Sequence, residues 1–224
     1  MLYPQFSTTT TASSLAAWRG ASAGRGFGDL MRVVCCYPCE PGFIEALAGL
    51  IRPALDAVAG YPKPPRLLLT AHGLPKRIAL AGEPYPGQVE ATAAAVVAAL
   101  NRADVNRAEL DWTICYQSRV GPLEWIGPAT DDEIRRAGED RVPVVVAPIS
   151  FVSEHSETLV ELDLDYRELA EAVGVPAYHR VATVGTEPGF IHALAALVRR
   201  AGPKGRVGGC APGSPHCALS RIGA

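Results

Sequence analysis

The sequence lacks the features that mark a nucleic-acid-binding or membrane-spanning protein. Its 224 residues carry 21 Lys and Arg against 23 Asp and Glu, a formal net charge of -2, so there is no basic footprint for nucleic acid. No apolar run approaches the roughly 18 residues that a transmembrane helix needs. The first six residues, MLYPQF, have neither the charged nor the apolar region of a signal peptide. We expect a cytoplasmic protein, with peripheral contact to the inner membrane left open.

Six cysteines in a cytosolic chain argue against a disulfide framework. They fall in three places: Cys35, Cys36 and Cys39 together, Cys115 alone, and Cys210 with Cys217 near the C-terminus. Cys115 lies in a predicted strand and is interpreted as a plain buried thiol, because free Cys behaves as a small hydrophobe.

Short apolar runs alternate with segments of helical periodicity along most of the chain. Predicted strands cover 32–36, 66–71, 111–116, 142–149 and 177–183, and predicted helices cover 15–18, 41–58, 87–100, 131–137, 156–173 and 187–200. Residues 7–14 are predicted to be a polar loop, and the tail after Ala201 irregular. Such alternation predicts an α/β fold, a mostly parallel sheet with helices on both faces.

Two clusters of polar side chains directly follow apolar runs. His72 comes after residues 67–69, and residues 153–159, Ser-Glu-His-Ser-Glu-Thr-Leu, come after 142–149. Because the carboxyl ends of strands face the ligand crevice in open α/β sheets, the two clusters point to a divalent metal site or a site of proton transfer. The alternative for His72 is a hydrogen-bonded structural histidine.

An acidic ladder runs through the predicted helix of 156–173. Glu157, Glu161 and Asp165 are spaced i, i+4, i+8, so they would stack along one helix face. The residues expected to pack on the sheet are Leu159, Leu162, Tyr166 and Leu169. Like charges at this spacing cost a helix a few tenths of a kcal/mol each. The ladder is either a solvated acidic face or a path that feeds a hydrated cation inward.

The loop of 116–128, YQSRVGPLEWIGP, follows a third predicted strand. Its aromatic, Gly and Pro residues favour a preorganised wall for a large flat apolar ligand. A loop that is simply well packed explains the same composition.

Five segments together carry a family resemblance. They are LYPQFSTTTT (2–11), TAHGLP (70–75), GEPYP (82–86), YQSRVGPLEWIGP (116–128) and PISFVSEHSETLVELD (148–163). In this order they resemble the ferrochelatases, and the resemblance extends from residue 2 to about residue 200.

The resemblance implies a fold, a reaction and a set of site residues. The fold would be two Rossmann-like lobes of the chelatase type around a porphyrin cleft, and the reaction insertion of ferrous iron into protoporphyrin IX, the last step of haem synthesis. His72 would be the essential histidine and Glu157 its partner across the macrocycle. Secondary metal residues would be Glu154, His155, Glu161 and Asp165, and porphyrin-binding residues Tyr116, Gln117, Ser118 and Trp125.

The chain also departs from the family pattern. Relative to the family it lacks roughly the first third, so we expect an incomplete N-terminal lobe over 1–64, a Rossmann-like lobe with the catalytic strand ends over 65–201, and a Cys-containing tail over 202–224. Two alternatives stay open. One is an inactive tetrapyrrole- or metal-binding fragment, and the other a related chelatase with a different metal or porphyrin, coproporphyrin included.

Some members of the family hold a [2Fe–2S] cluster, which needs four ligands, usually thiolates. Cys210 and Cys217 could combine with two of Cys35, Cys36 and Cys39. Thr8, Thr9 and Leu219 stand where some relatives place cluster cysteines. A cluster and unpaired thiols both remain open at this point, as does the oligomeric state.

Overall fold

The computed structural model describes residues 3–27, 31–103 and 110–201 and the backbone of 206–207. The strands are β1 (Val33–Val34), β2 (Arg66–His72), β3 (Asp111–Gln117), β4 (Val144–Pro148), β5 (Tyr178–Arg180) and β6 (Arg206–Val207). The helices are α1 (Ser13–Ser22), α2 (Pro41–Ala57), α3 (Lys76–Leu80), α4 (Tyr85–Ala103), α5 (Thr130–Asp140), α6 (Ser156–Leu159), α7 (Tyr166–Ala172) and α8 (Pro188–Arg200). Two π-helical turns, Thr8–Ala12 and Glu161–Asp165, lead into α1 and α7.

Four strands form a parallel sheet in the order β3-β2-β4-β5. Leu68 in β2 lies opposite Thr113 of β3 and Val146 of β4, so β2 is an interior strand. Separately, β1 pairs in parallel with β6, Val34 opposite Val207. The mostly parallel α/β fold expected from the sequence is confirmed.

Helices cover both faces of the four-stranded sheet because the side chains of β2 alternate between them. Leu67 and Leu69 belong to the core that includes α2, α4 and α8. Leu68 belongs to a second core, built with residues of α5 and α7. All three leucines are fully buried, which explains why β2 is continuously apolar rather than alternating with polar residues.

The helix predicted over 156–173 is wrong in its middle, since it divides into α6, the π turn Glu161–Asp165 and α7. Leu159 was expected to pack on the sheet, but 47 % of it is exposed. The widened turn shifts the helical phase, so Leu162 within it and Tyr166 after it are buried while Leu159 before it is not.

Two stretches predicted to be irregular contain regular structure. Residues 8–14, in the predicted polar loop, are helical because the first free N–H groups find acceptors: Ser7 Oγ accepts from Thr9 N, and Glu83 accepts from Thr8 N. In the tail, the backbone of 206–207 forms β6 by pairing with β1. Local composition did not reveal the bond from Thr8 to Glu83 or the pairing of β6 with β1, because these partners lie far apart in the sequence.

The N-terminal segment shares a core with the sheet. Phe43, Leu47 and Ile51 of α2 are fully buried in the cluster that contains Leu67 and Leu69. The division into lobes at residues 64 and 65 stays a prediction, and residues 208–224 lie outside the described part of the chain. Within the described part, no helix has the length and apolar character required to cross a bilayer.

Gly138 determines how closely α5 approaches the end of α7. A Cβ added there would lie 2.4 Å from the Val173 carbonyl oxygen, whereas a Cβ on Gly49, exposed in α2, would meet nothing within 4 Å. We expect Gly138→Ala to lower the free energy of unfolding by about 1–3 kcal/mol through overpacking. Gly49→Ala, the matched control, should raise it by roughly 0.5–1 kcal/mol through helix propensity. Urea unfolding measures both, and equal effects would contradict the role assigned to Gly138.

Candidate functional site

The candidate site lies where the strand order of the sheet reverses. From β2 the chain crosses outward to β3 and then back across to β4, which pairs with the other side of β2. Ligands of open α/β sheets bind at such a switch point, beyond the carboxyl ends of the strands. His72 is the last residue of β2, and the segment carrying Glu157 follows β4.

His72 and Glu157 meet at this edge, but not across a macrocycle as the resemblance implied, because the two side chains are too close for a macrocycle to lie between them. His72 Nε2 lies 3.6 Å from Glu157 Oε1, and both side chains are about two-fifths exposed. His72 Nδ1 lies 2.6 Å from the Gly73 carbonyl oxygen, which can only accept, so Nδ1 carries a hydrogen. In the neutral imidazole, Nε2 therefore presents its lone pair beside Glu157, where it can take a proton or bind a metal ion.

The pair stands between two cavities that share His72, Trp125 and Glu157. The first, of about 290 Å³, is lined by Tyr3, Ser7, Thr9, Thr10, His72, Gly73, Leu74, Pro75, Ile78, Tyr85, Trp125, Ser150 and Glu157. The second, of about 490 Å³, is more open and is lined by His72, Ser118, Val120, Trp125, Ser156, Glu157, Val160, Glu161 and Asp165. The first cavity is therefore mainly apolar with several hydroxyl groups, and the second is acidic.

Backbone hydrogen bonds hold the loop after β3 against the residues that follow His72. Together these two segments form one wall of the cavities. Ile126 N donates to Leu74 O at 3.0 Å, and Gly73 N donates to Gln117 O at 2.7 Å. A Cβ on Gly73 would lie 2.9 Å from Gln117 O and 3.2 Å from Trp125 Cε3. Only glycine lets β2 end so close to this loop, and Trp125 consequently lines both cavities.

Glu161 is held by donors from two elements. Ser118 N and Oγ lie 2.7 and 2.6 Å from its carboxylate, and Tyr166 Oη lies 2.7 Å away. Burial and this carboxylate raise the pKa of Tyr166, so the phenol stays a donor at neutral pH. Glu161 thus anchors the π turn while lining the acidic cavity. Asp165, at the end of the same turn, is exposed along that cavity.

Tyr116 and Gln117 were predicted to bind porphyrin, but the structure buries both and places neither on the two cavities. Gln117 Nε2 instead donates to the Glu157 carbonyl oxygen at 2.7 Å. Its Oε1 accepts from Thr70 Oγ1 at 3.0 Å. Gln117 therefore connects two strands to the acidic segment. Of the four residues predicted to contact porphyrin, Ser118 and Trp125 line a cavity.

Glu154 and His155 also lie off both cavities. Glu154 pairs with Arg180 at 2.7 Å and accepts from Thr183 N at 2.9 Å. These donors outweigh its burial and hold the pKa of Glu154 below its usual value. His155 is the N-cap of α6, since its Nδ1 accepts from Glu157 N at 3.2 Å. Their surroundings favour a structural role over metal delivery.

Sequence reasoning assigned no role to the hydroxyl-bearing residues of the first cavity. Tyr3, Ser7, Thr9 and Thr10 come from the segment 2–11, and Tyr85 from GEPYP. Both segments contributed to the family resemblance, so the sequence marked them as family motifs without indicating that their hydroxyl groups line a cavity. Burial and the Glu157 carboxylate raise the pKa of Tyr3. The Tyr85 hydroxyl lies 3.1 Å from the His72 carbonyl oxygen and 3.2 Å from Ser150 Oγ.

None of the four described cysteines, Cys35, Cys36, Cys39 and Cys115, lines either cavity. Cys35 and Cys36 are buried in a small core with Phe6 and Val33, and their Sγ atoms lie 3.2 Å apart. Cys210 and Cys217 lie outside the described residues. Among the residues that are described, no group of three or more His, Cys, Asp or Glu side chains is arranged to hold a metal ion.

Comparison with known proteins identifies the family of the chain. A sequence profile named Ferrochelatase matches residues 1–202. The chain belongs to the ferrochelatase family. Ferrochelatase from Caulobacter vibrioides is 58 % identical over 198 residues, 88 % of this chain and 54 % of the relative. Ferrochelatase from Phenylobacterium zucineum is 54 % identical over 194 residues, 87 % and 54 % of the two chains.

The chain thus spans about half the length of the curated relatives it matches. Among solved structures, SirB from Bacillus subtilis with Fe³⁺ aligns with a TM-score of 0.55 over 89 % of this chain and 69 % of that one. At 13 % identity, the alignment supports the chelatase-type fold alone.

The capping role of His155 is testable without any assay of activity. His155→Ala removes the acceptor for Glu157 N and should lower the free energy of unfolding by about 1–2 kcal/mol. His155→Asn keeps a side-chain acceptor of the kind favoured at N-caps, and should recover part of that loss. Urea unfolding of both variants provides the measurement. Equal losses in the two would show that ring packing against Phe151, 4.8 Å between centroids, matters and capping does not.

Proposed function

We propose that this chain carries the metal-handling wall of a ferrochelatase and inserts ferrous iron into protoporphyrin IX, forming protohaem in the last step of haem synthesis. The observation that carries the proposal is the His72–Glu157 pair, 3.6 Å apart, between an apolar cavity and an acidic one. Family membership over residues 1–202 supports it.

The two sides of the pair suit the two halves of the reaction. Insertion removes two pyrrole N–H protons and brings in a dication, so the site needs a base and metal ligands close together. His72 Nε2 and the Glu157 carboxylate supply both kinds of group. Glu161 and Asp165 make the second cavity acidic, which raises the local concentration of a divalent cation.

The first cavity suits the edge of a flat apolar macrocycle. Leu74, Pro75, Ile78 and Trp125 supply apolar surface, and no Lys or Arg is among its described lining residues. A carboxylate-bearing edge would therefore lack a cationic partner here. This favours protoporphyrin, which has an edge without carboxylates, over coproporphyrin, whose four pyrrole rings each carry one.

Substitutions at the pair test the proposal. In a Zn²⁺ insertion assay with protoporphyrin, His72→Ala should abolish turnover and Glu157→Gln should lower kcat by at least about 100-fold, the size typical of losing an acid–base group. Glu161→Gln should mainly raise the KM for Zn²⁺. His192→Ala, which changes an exposed histidine on α8, is the control and should leave turnover unchanged.

Wild-type turnover in His72→Ala would overturn the assignment of His72. If the wild-type chain binds protoporphyrin, measured by fluorescence quenching, yet inserts no Zn²⁺, the proposed reaction is wrong and tetrapyrrole binding remains.

We further propose that a [2Fe–2S] cluster is held by Cys35 and Cys36 together with Cys210 and Cys217. The two buried thiols follow β1 directly, and β6, its parallel neighbour, ends at Val207. In the sequence, Cys210 follows Val207 by three residues and Cys217 by ten. Gln88 Nε2, 3.6 Å from Cys36 Sγ, would stabilise a thiolate. When bound, the cluster would tie the tail to β1.

Spectroscopy of the purified chain tests the cluster. Anaerobically prepared protein should show the visible absorption of a [2Fe–2S] centre and an electron paramagnetic resonance signal on reduction, and Cys36→Ser should remove both. Cys115→Ala is the control. Cys115 is fully buried in the core that contains Leu68, apart from Cys35 and Cys36, and burial raises the pKa of its thiol to about 12. A colourless wild-type chain without bound iron would overturn the proposed cluster.

A further inference from the structure

The position of the Glu157 carboxylate depends on the backbone that carries it. Among the described residues, the one basic side chain within 4 Å of it is His72, at 3.6 Å, too long for a hydrogen bond. The side chain is also two-fifths exposed. No direct bond of its own therefore fixes it, and the segment 154–163 must do so.

One guanidinium joins the two ends of this segment. Arg180, the last residue of β5, donates from Nε to Asp163 Oδ1 at 2.7 Å and from Nη2 to Asp163 Oδ2. Its Nη1 donates to Glu154 Oε1 at 2.7 Å. Glu154 precedes α6 and Asp163 lies in the π turn, so Glu157 lies between two clamped points.

Only arginine can make this pattern of contacts. The guanidinium presents five N–H donors in a rigid fork, which lets it bind one carboxylate with two nitrogens and a second carboxylate with the third, whereas the lysine ammonium is a single point charge. Arg180 is itself confined, with 9 % of its side chain exposed. Hydrogen bonding and charge from Arg180 hold the pKa of Asp163 below its usual value, so the clamp stays charged at neutral pH.

A second arginine provides the comparison that separates positioning from stability. Arg66 also has 9 % of its side chain exposed and also bridges two carboxylates, Asp111 at 2.7 Å and Asp140 at 2.9 Å. It lies at the first residue of β2, at the opposite end of that strand from His72. Arg66 and Arg180 therefore make the same kind of contact at the same burial, but only Arg180 contacts the segment that carries Glu157.

We propose that Arg180 is a positioning residue that holds Glu157 opposite His72 by joining Glu154 to Asp163. The proposal rests on the proposed function, in which these two side chains handle the metal ion and the pyrrole protons. Arg180 touches neither cavity, so its effect on metal binding is exerted through the segment it clamps.

The test compares Arg180→Lys with Arg66→Lys in the full chain. Urea unfolding should show similar losses in both. Hydrogen exchange of the amides of 156–163 should accelerate by about tenfold in Arg180→Lys alone, because local opening sets exchange. Binding of Co²⁺, followed by its visible absorption, should weaken about tenfold in Arg180→Lys, as for other residues that orient metal ligands. In the insertion assay, the KM for Zn²⁺ should rise and the KM for protoporphyrin should stay constant.

Each outcome decides between separate claims. Faster exchange in Arg180→Lys with unchanged Co²⁺ binding would make the clamp structural only and would overturn the proposal, as would equal effects of both variants on Co²⁺ binding. Unchanged exchange in 156–163 would overturn the clamp itself. If the wild-type chain inserts no metal, the proposed function fails, while the exchange and Co²⁺ measurements still decide the role of Arg180.

Discussion

The reversal of strand order between β2 and β4 is the constraint on which the rest of the structure depends. Because these strands are parallel neighbours although β3 intervenes in sequence, their carboxyl ends open side by side and leave a crevice between them. His72 ends one strand and the segment with Glu157 follows the other. The continuous burial of Leu67, Leu68 and Leu69 between two helical layers is what keeps these strands adjacent.

Polar contacts then decide the fine geometry at this crevice. Within the described part of the chain the Glu157 carboxylate accepts no hydrogen bond, yet the groups around it are held. Gln117 binds its carbonyl oxygen, Ser118 binds Glu161, and Arg180 binds Glu154 and Asp163. In the proposed function, a carboxylate that meets both a cation and a proton gains from being left unpaired. The strong donors Ser118, Tyr166 and Arg180 bind the neighbouring carboxylates. The Glu157 carboxylate can therefore face the cavities while its backbone is held in place.

The predictions from sequence succeeded where a local pattern was enough. Apolar runs and helical periodicity located β2, β3, β4, α2 and α8 to within a few residues. They failed at the helix of 156–173, where Glu161 reaches across to Ser118 and a π turn forms. They failed also at 7–14, where Glu83, far along the chain, accepts from Thr8 N. A pattern that repeats every 3.6 residues carries no information about such distant partners.

By itself the sequence determined the alternation of strands and helices and the placement of His72 and Glu157 after strands, because burial imposes a periodicity that can be read locally. Only the tertiary structure decided which acidic groups face a cavity and which are paired. Glu154, Glu157 and Glu161 are chemically alike and lie within eight residues. Arg180 neutralises the first, Ser118 and Tyr166 hold the third, and the second alone faces His72. Those partners come from other strands and helices, so strand order and register assign each carboxylate its role.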